Sequence, residues 1–350
     1  MNHKLFSVAF TLTALLSVTS IALAAPAKFA SVADLALYKG ADRQQILEEG
    51  AKKEGSLVFY TTSVWAPPLV KAFQNKYPFI KVDTWRAGSS ALMPRVLEEY
   101  SANKYIFDVI EVSEMSNLVL KGAGISQPFY SPHLAVIEED AITKLPNGGV
   151  LEAPFRTSGQ SLGYNTKLIA KEQLPKTYKD LLDPKWKGKM TTVGGTTGSD
   201  WLGTIFELYG EDFVKQLAKQ DIKVHMVSGR ALCDMVITGE YSFSPTIYDS
   251  HVAESKGKGA PVDWMPLEPV HVNLGLIALP KHVAHPYSAL LFIDFELSRE
   301  GAAVNKAGGY SPMRKDLAPI LRAYKKYYGP KSLEQGKKWV ELFDELFVKK

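Results

Sequence analysis

Polar and apolar positions alternate along this chain in a recurring order. An amphipathic stretch at 41–54 (ADRQQILEEGAKKE) predicts a helix, with Gly55 placed where a C-cap belongs. Residues 57–60 (LVFY) form a short, continuously apolar run, the mark of a strand buried on both faces. A polar turn at 61–63 leads into a helical stretch ending at Lys76, ahead of Pro78. The next strand is predicted at 80–85, the next polar turn at 87–90 and the next helix at 91–103. A third round follows: strand 108–112 (DVIEV), turn 113–116, and a helix ending near Gly122. Strand, polar turn and helix three times over predict a parallel sheet covered by helices.

The middle of the chain continues the theme. Strands are predicted at 161–164, 190–193, 242–247 and 272–279, and helical segments at 178–182, 200–209, 212–220, 231–238, 287–298 and 332–347. The run 194–199 (GGTTGS) is a glycine- and hydroxyl-rich turn opening the helix at 200. There are no repeats and no low-complexity linker, which favours two α/β lobes joined by short crossings.

The first 24 residues stand outside this pattern. Lys4 supplies a positive start, 5–23 is apolar apart from Ser and Thr, and Ala22-Leu23-Ala24 offers small residues before a cut ahead of Ala25. This predicts a signal peptide cleaved between Ala24 and Ala25 and a protein released to the periplasm. No cysteine follows the cut to take a lipid. Cys233, the single cysteine in 350 residues, excludes a disulfide framework and a Cys-based zinc site. Forty-one basic residues are interspersed with 37 acidic ones for a net charge of +4, with no basic stripe of the kind nucleic-acid binding needs.

Four polar turns lie between a strand end and a helix start: Thr61, Thr62 and Ser63; Gly88, Ser89 and Ser90; Ser113 to Ser116; and Thr196, Thr197, Gly198 and Ser199. Helix starts carry unpaired N–H groups and the positive end of the macrodipole, and ligands of open α/β sheets bind outside the strands' carboxyl ends. Hydroxyls with free N–H groups suit carboxylate, phosphate or oxyanion ligands. Ser and Thr are also ordinary N-caps, whatever the function. Arg156, Arg230, Tyr248 and Asp249 fall beside predicted element ends and are further candidates: an Arg clamps an anion, while Tyr with Asp orders a polar substrate.

Other patterns are weaker. Gly159-Gln160-Ser161-Leu162-Gly163 matches the nucleophile-elbow spacing of serine hydrolases, but 164–167 is no helix start of the required kind. His282 and His285 lie between Pro280 and Pro286, where no helix holds them on one face. Cys233 sits among Leu232, Met235 and Val236 as a small core residue.

From about residue 41 to 314 the chain resembles the family 1 solute-binding proteins of ABC importers, in the branch containing the ferric-iron- and sugar-phosphate-binding members. The segments that carry the resemblance are EGAKKEGSLVFYTTS (49–63), FQNKYPFIKV (73–82), FDVIEVSE (107–114), SLGYNTKLI (161–169), LPKTYKDLLDPKWKGKM (174–190), GEYSFSPTIYDS (239–250), KGAPVDW (258–264) and GGYSPMRKD (308–316). It implies an α/β fold of two lobes with a ligand cleft between them and two hinge crossings, near 151–157 and 270–275. Lobe 1 would comprise 25–152 with about 272–310, and lobe 2 would comprise 153–271 with the C-terminal helices at 311–350.

The resemblance also implies a periplasmic receptor without enzymatic activity or cofactor, a monomer that hands its solute to an inner-membrane ABC permease with a cytoplasmic ATPase. Thr197, Gly198 and Ser199 match the turn that holds an anion in ferric-binding members, and Gly229-Arg230 matches a second anion contact. Those members carry a Tyr-Tyr pair where Asp249 and Ser250 stand here, just after Tyr248. Their His falls in 61–65, which has none, and their Glu falls at Ser113, beside Glu114. The expected solute is therefore a small organic anion, a phosphate ester or carboxylate. Alternatives are ferric iron, a serine hydrolase using Ser161, and a ligand-loaded accessory of a membrane sensor.

Overall fold

The computed structural model describes residues 29–317 and 324–349, apart from the side chain of Asp140. The expected leader and its cleavage site lie outside these residues. In chain order the first elements are α1 (Val32–Ala36), α2 (Arg43–Glu54), β1 (Ser56–Thr61), α3 (Ala66–Lys76), β2 (Lys81–Arg86), α4 (Ser89–Ser101), β3 (Val109–Val112), α5 (Glu114–Gly122) and β4 (Ser126–Gln127). The long strand β5 (Ala153–Asn165) leads to β6 (Thr191–Val193), α6 (Gly195–Tyr209), α7 (Glu211–Ala218), β7 (Lys223–His225), α8 (Gly229–Thr238), β8 (Phe243–Tyr248), α9 (Asp249–Gly257) and β9 (Val262–Met265). After β10 (Val270–Pro280) come α10 (Pro286–Leu297), α11 (Arg299–Ala307), β11 (Ser311–Pro312), β12 (Lys326–Tyr328) and α12 (Leu333–Phe343).

The three strand–turn–helix units are where the periodicity predicts them. Their strands do not, however, belong to a purely parallel sheet. β1 runs parallel to β2 and β3, whereas β10 is antiparallel to both β3 and β5. The sheet is therefore mixed, in the order β11-β5-β10-β3-β1-β2, with β8 and β9 also paired to β5. β5 is 13 residues long rather than the four expected, and all 13 are buried. Its first half pairs with β10, from Ala153↔Ile277 to Gln160↔His271, and its second half pairs with β8 and β9. Its polar composition (TSGQS) hides it from a pattern that seeks apolar runs.

Two groups of apolar clusters flank this pair of long strands. On one side Phe59, Phe73, Phe292 and Phe295 pack together under α3 and α10, next to a cluster of Tyr60, Phe107 and Ile110. On the other, Trp186, Trp201, Phe243 and Phe343 form the centre of a second core. α12 closes that core from behind α6. Trp339 and Phe343 lie against Gly203 and Gly198 of α6, where a Cβ would overlap their rings. α6 begins at Gly195, five residues earlier than expected, so 195–199 form its first turn rather than a turn ahead of it. Gly195 has φ +67°, a left-handed conformation that glycine adopts at no steric cost. α9 and α11 go unpredicted. Their buried faces use small and polar residues, such as Ser250, His251 and Ser255 in α9 and Gly301, Ala302 and Asn305 in α11.

Candidate functional site

Helix starts from both sides of the long strands meet at one cavity of about 330 Å³. Thr62 and Val64 approach it ahead of α3, Arg86 and Gly88 to Ser90 at α4, and Ser113 at α5. From the other side come Gly194 to Thr197 and Asp200 of α6, Met226 to Arg230 at α8, and Tyr248, Ser250 and His251 at α9. Arg156, Ser158 and Asn273 line it from the long strands, with Tyr310 nearby. The N-caps of α4 and α6 are Gly88 and Gly194, and neither has a side-chain cap. Their first N–H groups are thus left for water or a ligand. α8 differs, since Ser228 Oγ accepts from Ala231 N at 3.2 Å.

Below the cavity lies a buried ion pair. Glu111 and Arg156 have side chains 0% and 6% exposed, and Arg156 Nη2 lies 2.6 Å from Glu111 Oε1. Glu111 Oε2 also accepts from Thr62 N and Ser63 N, each at 3.0 Å, and from Thr61 Oγ1. One carboxylate therefore fixes both the arginine and the loop ahead of α3. Gly275 sits opposite Arg156 in β10, and a Cβ there would lie 2.7 Å from Arg156 Cγ. The guanidinium also lies 4.4 Å from the Tyr310 ring centroid, at cation–π range.

Of the residues singled out from sequence, Thr62, Ser89, Ser90, Arg156, Thr196, Thr197, Arg230 and Tyr248 come together on the cavity wall. Gly88, Ser113 and Gly229 line it as well, and the other site candidates do not. Thr61 and Ser63 are buried and bind Glu111. Gly198 packs against Phe343, and Ser199 Oγ donates to Gly195 O at 2.9 Å, so both serve the first turn of α6. Glu114 accepts from Leu274 N at 2.7 Å. Asp249 Oδ1 accepts from Ser158 Oγ, Gly159 N and Ser250 N at 2.7–2.9 Å, which ties the start of α9 to β5. Arg230 reaches the cavity with its charge already shared, through Asp234 and through Glu254 at 3.6 Å.

The pattern missed Arg86, Asp200 and His251. Arg86 ends β2 immediately before the Gly88 turn, and its exposed side chain makes no ion pair among the described residues. Its position next to a selected turn was the available signal. Asp200 likewise follows Ser199 directly, but a helix acid reads as a solvated one. It is 6% exposed, and its carboxylate makes no hydrogen bond or ion pair among the described residues. Burial pushes its carboxyl up to about 7. Burial likewise lifts Glu114 to about 8, with Asp200 adding to the rise, and Asp249 to about 7. The Tyr248 hydroxyl is pushed well above its ordinary range by burial, and His251 is held neutral, down to about 3, by burial and the nearby arginines.

The remaining motifs resolve as structure. Ser161 lies inside β5, where its Oγ accepts from Leu267 N at 2.7 Å, so no nucleophile elbow forms. His285 Nδ1 pairs with Asp108 at 2.8 Å, and His282 stacks on Tyr105. Cys233 is buried, and its thiol is pushed up to about 11. Among the described residues no group of three or more His, Cys, Asp or Glu is arranged to hold a metal ion, and no helix is long and apolar enough to cross a membrane.

Comparison with known proteins places this architecture. AfuA of Actinobacillus pleuropneumoniae, solved with fructose-6-phosphate, superimposes with a TM-score of 0.72 at 23% identity over 83% of this chain and 98% of that one. Iron-bound HitA of Pseudomonas aeruginosa gives a TM-score of 0.70 at 22% identity, covering 83% and 99%. A Haemophilus influenzae protein of uncharacterised function is 27% identical over 267 residues, 72% of this chain and 75% of its own length. The profile of the bacterial extracellular solute-binding proteins matches residues 106–327. Proteins of this kind collect a small solute outside the cytoplasm and deliver it to an ABC permease. By that match, across well over half its length, the chain belongs to the bacterial extracellular solute-binding proteins.

Proposed function

We propose that the solute captured by this ABC-transport binding protein is a small organic anion, a phosphate ester or a carboxylate. The observation that carries this reading is the convergence of uncapped helix starts, α4 and α6, on one cavity beside Arg86. Unsatisfied N–H groups and the positive ends of two macrodipoles favour negative charge at their meeting point. Thr62, Ser89, Ser90, Thr196 and Thr197 add hydroxyl donors around it. AfuA, with fructose-6-phosphate, is a structural neighbour with a ligand of that chemistry.

Iron-bound HitA is equally similar in fold. Hard ferric iron takes several oxygen anions, and among the described residues only Tyr248 and Asp200 offer ionisable oxygen ligands to the cavity while Asp249 and Glu114 accept hydrogen bonds elsewhere. That donor set favours the organic anion. The sequence supports release of a monomer to the periplasm by cleavage between Ala24 and Ala25, for hand-over to a permease with its ATPase.

Calorimetric and thermal-shift titration of the mature protein test the reading. Phosphate esters, carboxylates, ferric citrate and polyamines form the panel. A true ligand at a hundred times its Kd stabilises the native state by about 2.7 kcal/mol, a rise of a few degrees in Tm. A response confined to phosphate esters or carboxylates is expected. A response only to ferric iron or polyamines would overturn the anion reading.

A further inference from the structure

One group at the cavity is unaccounted for by an anion alone. Asp200 is an acid on the wall of a site otherwise built to attract negative charge. It is 94% removed from solvent, yet its carboxylate has no hydrogen-bond donor and no cation among the described residues. The cavity's arginines do not serve it. Arg156 is consumed by Glu111, Arg230 by Asp234 and Glu254, and Arg86 ends β2 on the side of the cavity opposite α6. Asp200 in turn raises both Glu114 and the Tyr248 hydroxyl, so these neighbours are acids and not cations.

A buried carboxylate without a partner is costly, and proteins pair such groups or leave them for a ligand. A ligand hydroxyl would supply one hydrogen bond but leave the charge uncompensated. An ammonium would supply both, and its remaining N–H groups could meet the Tyr248 oxygen. We propose that the solute carries an amine as well as its anion: the anionic end sits at the starts of α4 and α6 beside Arg86, and Asp200 receives the ammonium. The inference rests on the anion reading and narrows it to zwitterionic compounds small enough for a cavity of about 330 Å³.

The test is calorimetric titration of the mature protein with three series of alkyl phosphates two to four carbons long: ω-amino, ω-hydroxy and unsubstituted. The expected result is an amino compound binding at least tenfold tighter than the hydroxy and unsubstituted compounds of the same length. In Asp200→Asn that ratio should collapse toward one, with thermal unfolding confirming that the variant is folded. The wild-type series decides the matter even if the variant is not. Equal binding of amino and unsubstituted compounds at every length would overturn the zwitterion while leaving the anion site standing. A preference for the hydroxy series would also overturn it, in favour of a hydroxyl reader. Failure of all three series to bind would count against the anion site and this inference together.

Discussion

Glu111 and Asp200 are both acids buried at the same cavity, and they could hardly be treated more differently by their surroundings. Glu111 has a guanidinium at 2.6 Å and two backbone N–H donors at 3.0 Å. Asp200 has neither a cation nor a donor among the described residues. The difference separates architecture from reception. A carboxylate whose lone pairs are all taken by the fold organises the fold: it holds Arg156 of β5 and the loop ahead of α3 in one arrangement. One left open on a cavity wall can only be satisfied from outside.

The strongest way to break the comparison is to strip Glu111 of its cation. Arg156→Met should cost about 3–5 kcal/mol in urea unfolding, because the buried carboxylate is left uncompensated. Adding Glu111→Gln to it should recover much of that loss. If the single variant loses under 1 kcal/mol, the pair is not what organises this junction of β5 with the loop ahead of α3.

Asp200→Asn should move stability in the other direction. A carboxyl raised in the native state contributes stability below its unfolded value, near 4, and loses it as pH rises through about 7. Between pH 5 and pH 8 the ligand-free variant should therefore gain on the wild type by on the order of 2 kcal/mol. A parallel pair of stability curves would show that Asp200 has a partner after all.

His271 sharpens the comparison from the side of α6. Its Nδ1 is 2.8 Å from Thr204 Oγ1, its Nε2 is buried without a partner, and burial holds the ring neutral, down to about 4. With the native value depressed, its contribution is present above 6.5 and is lost as pH falls toward 4. From pH 7 to pH 5 the wild type should lose about 2 kcal/mol more than His271→Gln. Denaturant titrations at the two values check this, and equal losses would contradict a neutral buried ring.

The smallest effect belongs to Arg86. Because its side chain is exposed and makes no ion pair among the described residues, Arg86→Ala should leave stability within about 0.5 kcal/mol of wild type. Affinity for the anion should fall roughly tenfold, about 1.4 kcal/mol, the lower end for a charge-assisted hydrogen bond. Unchanged affinity would remove Arg86 from the site.

Much of this was legible from the order of residues. Apolar runs bounded by polar turns mark β1 and β3 because a strand buried on both faces has little room for polar side chains. Ser, Thr and Gly after those strands mark the helix starts because the free N–H groups there select them. Hence Thr62, Ser89, Ser90, Thr196 and Thr197 could be chosen without coordinates. The long polar strand β5 could not, since its hydroxyls and amides are satisfied by partners tens of residues away, such as Asp249 and Thr197 O.

Nor could the sequence alone tell which charges are spent. Arg230 and Arg86 look alike in a string of letters, and Glu111 and Asp200 equally so. Local chemistry determined where helices begin and that their starts could hold an anion. Only the tertiary structure decided which arginine is free and which acid is alone, because pairing depends on distances between segments that the chain brings together only by folding.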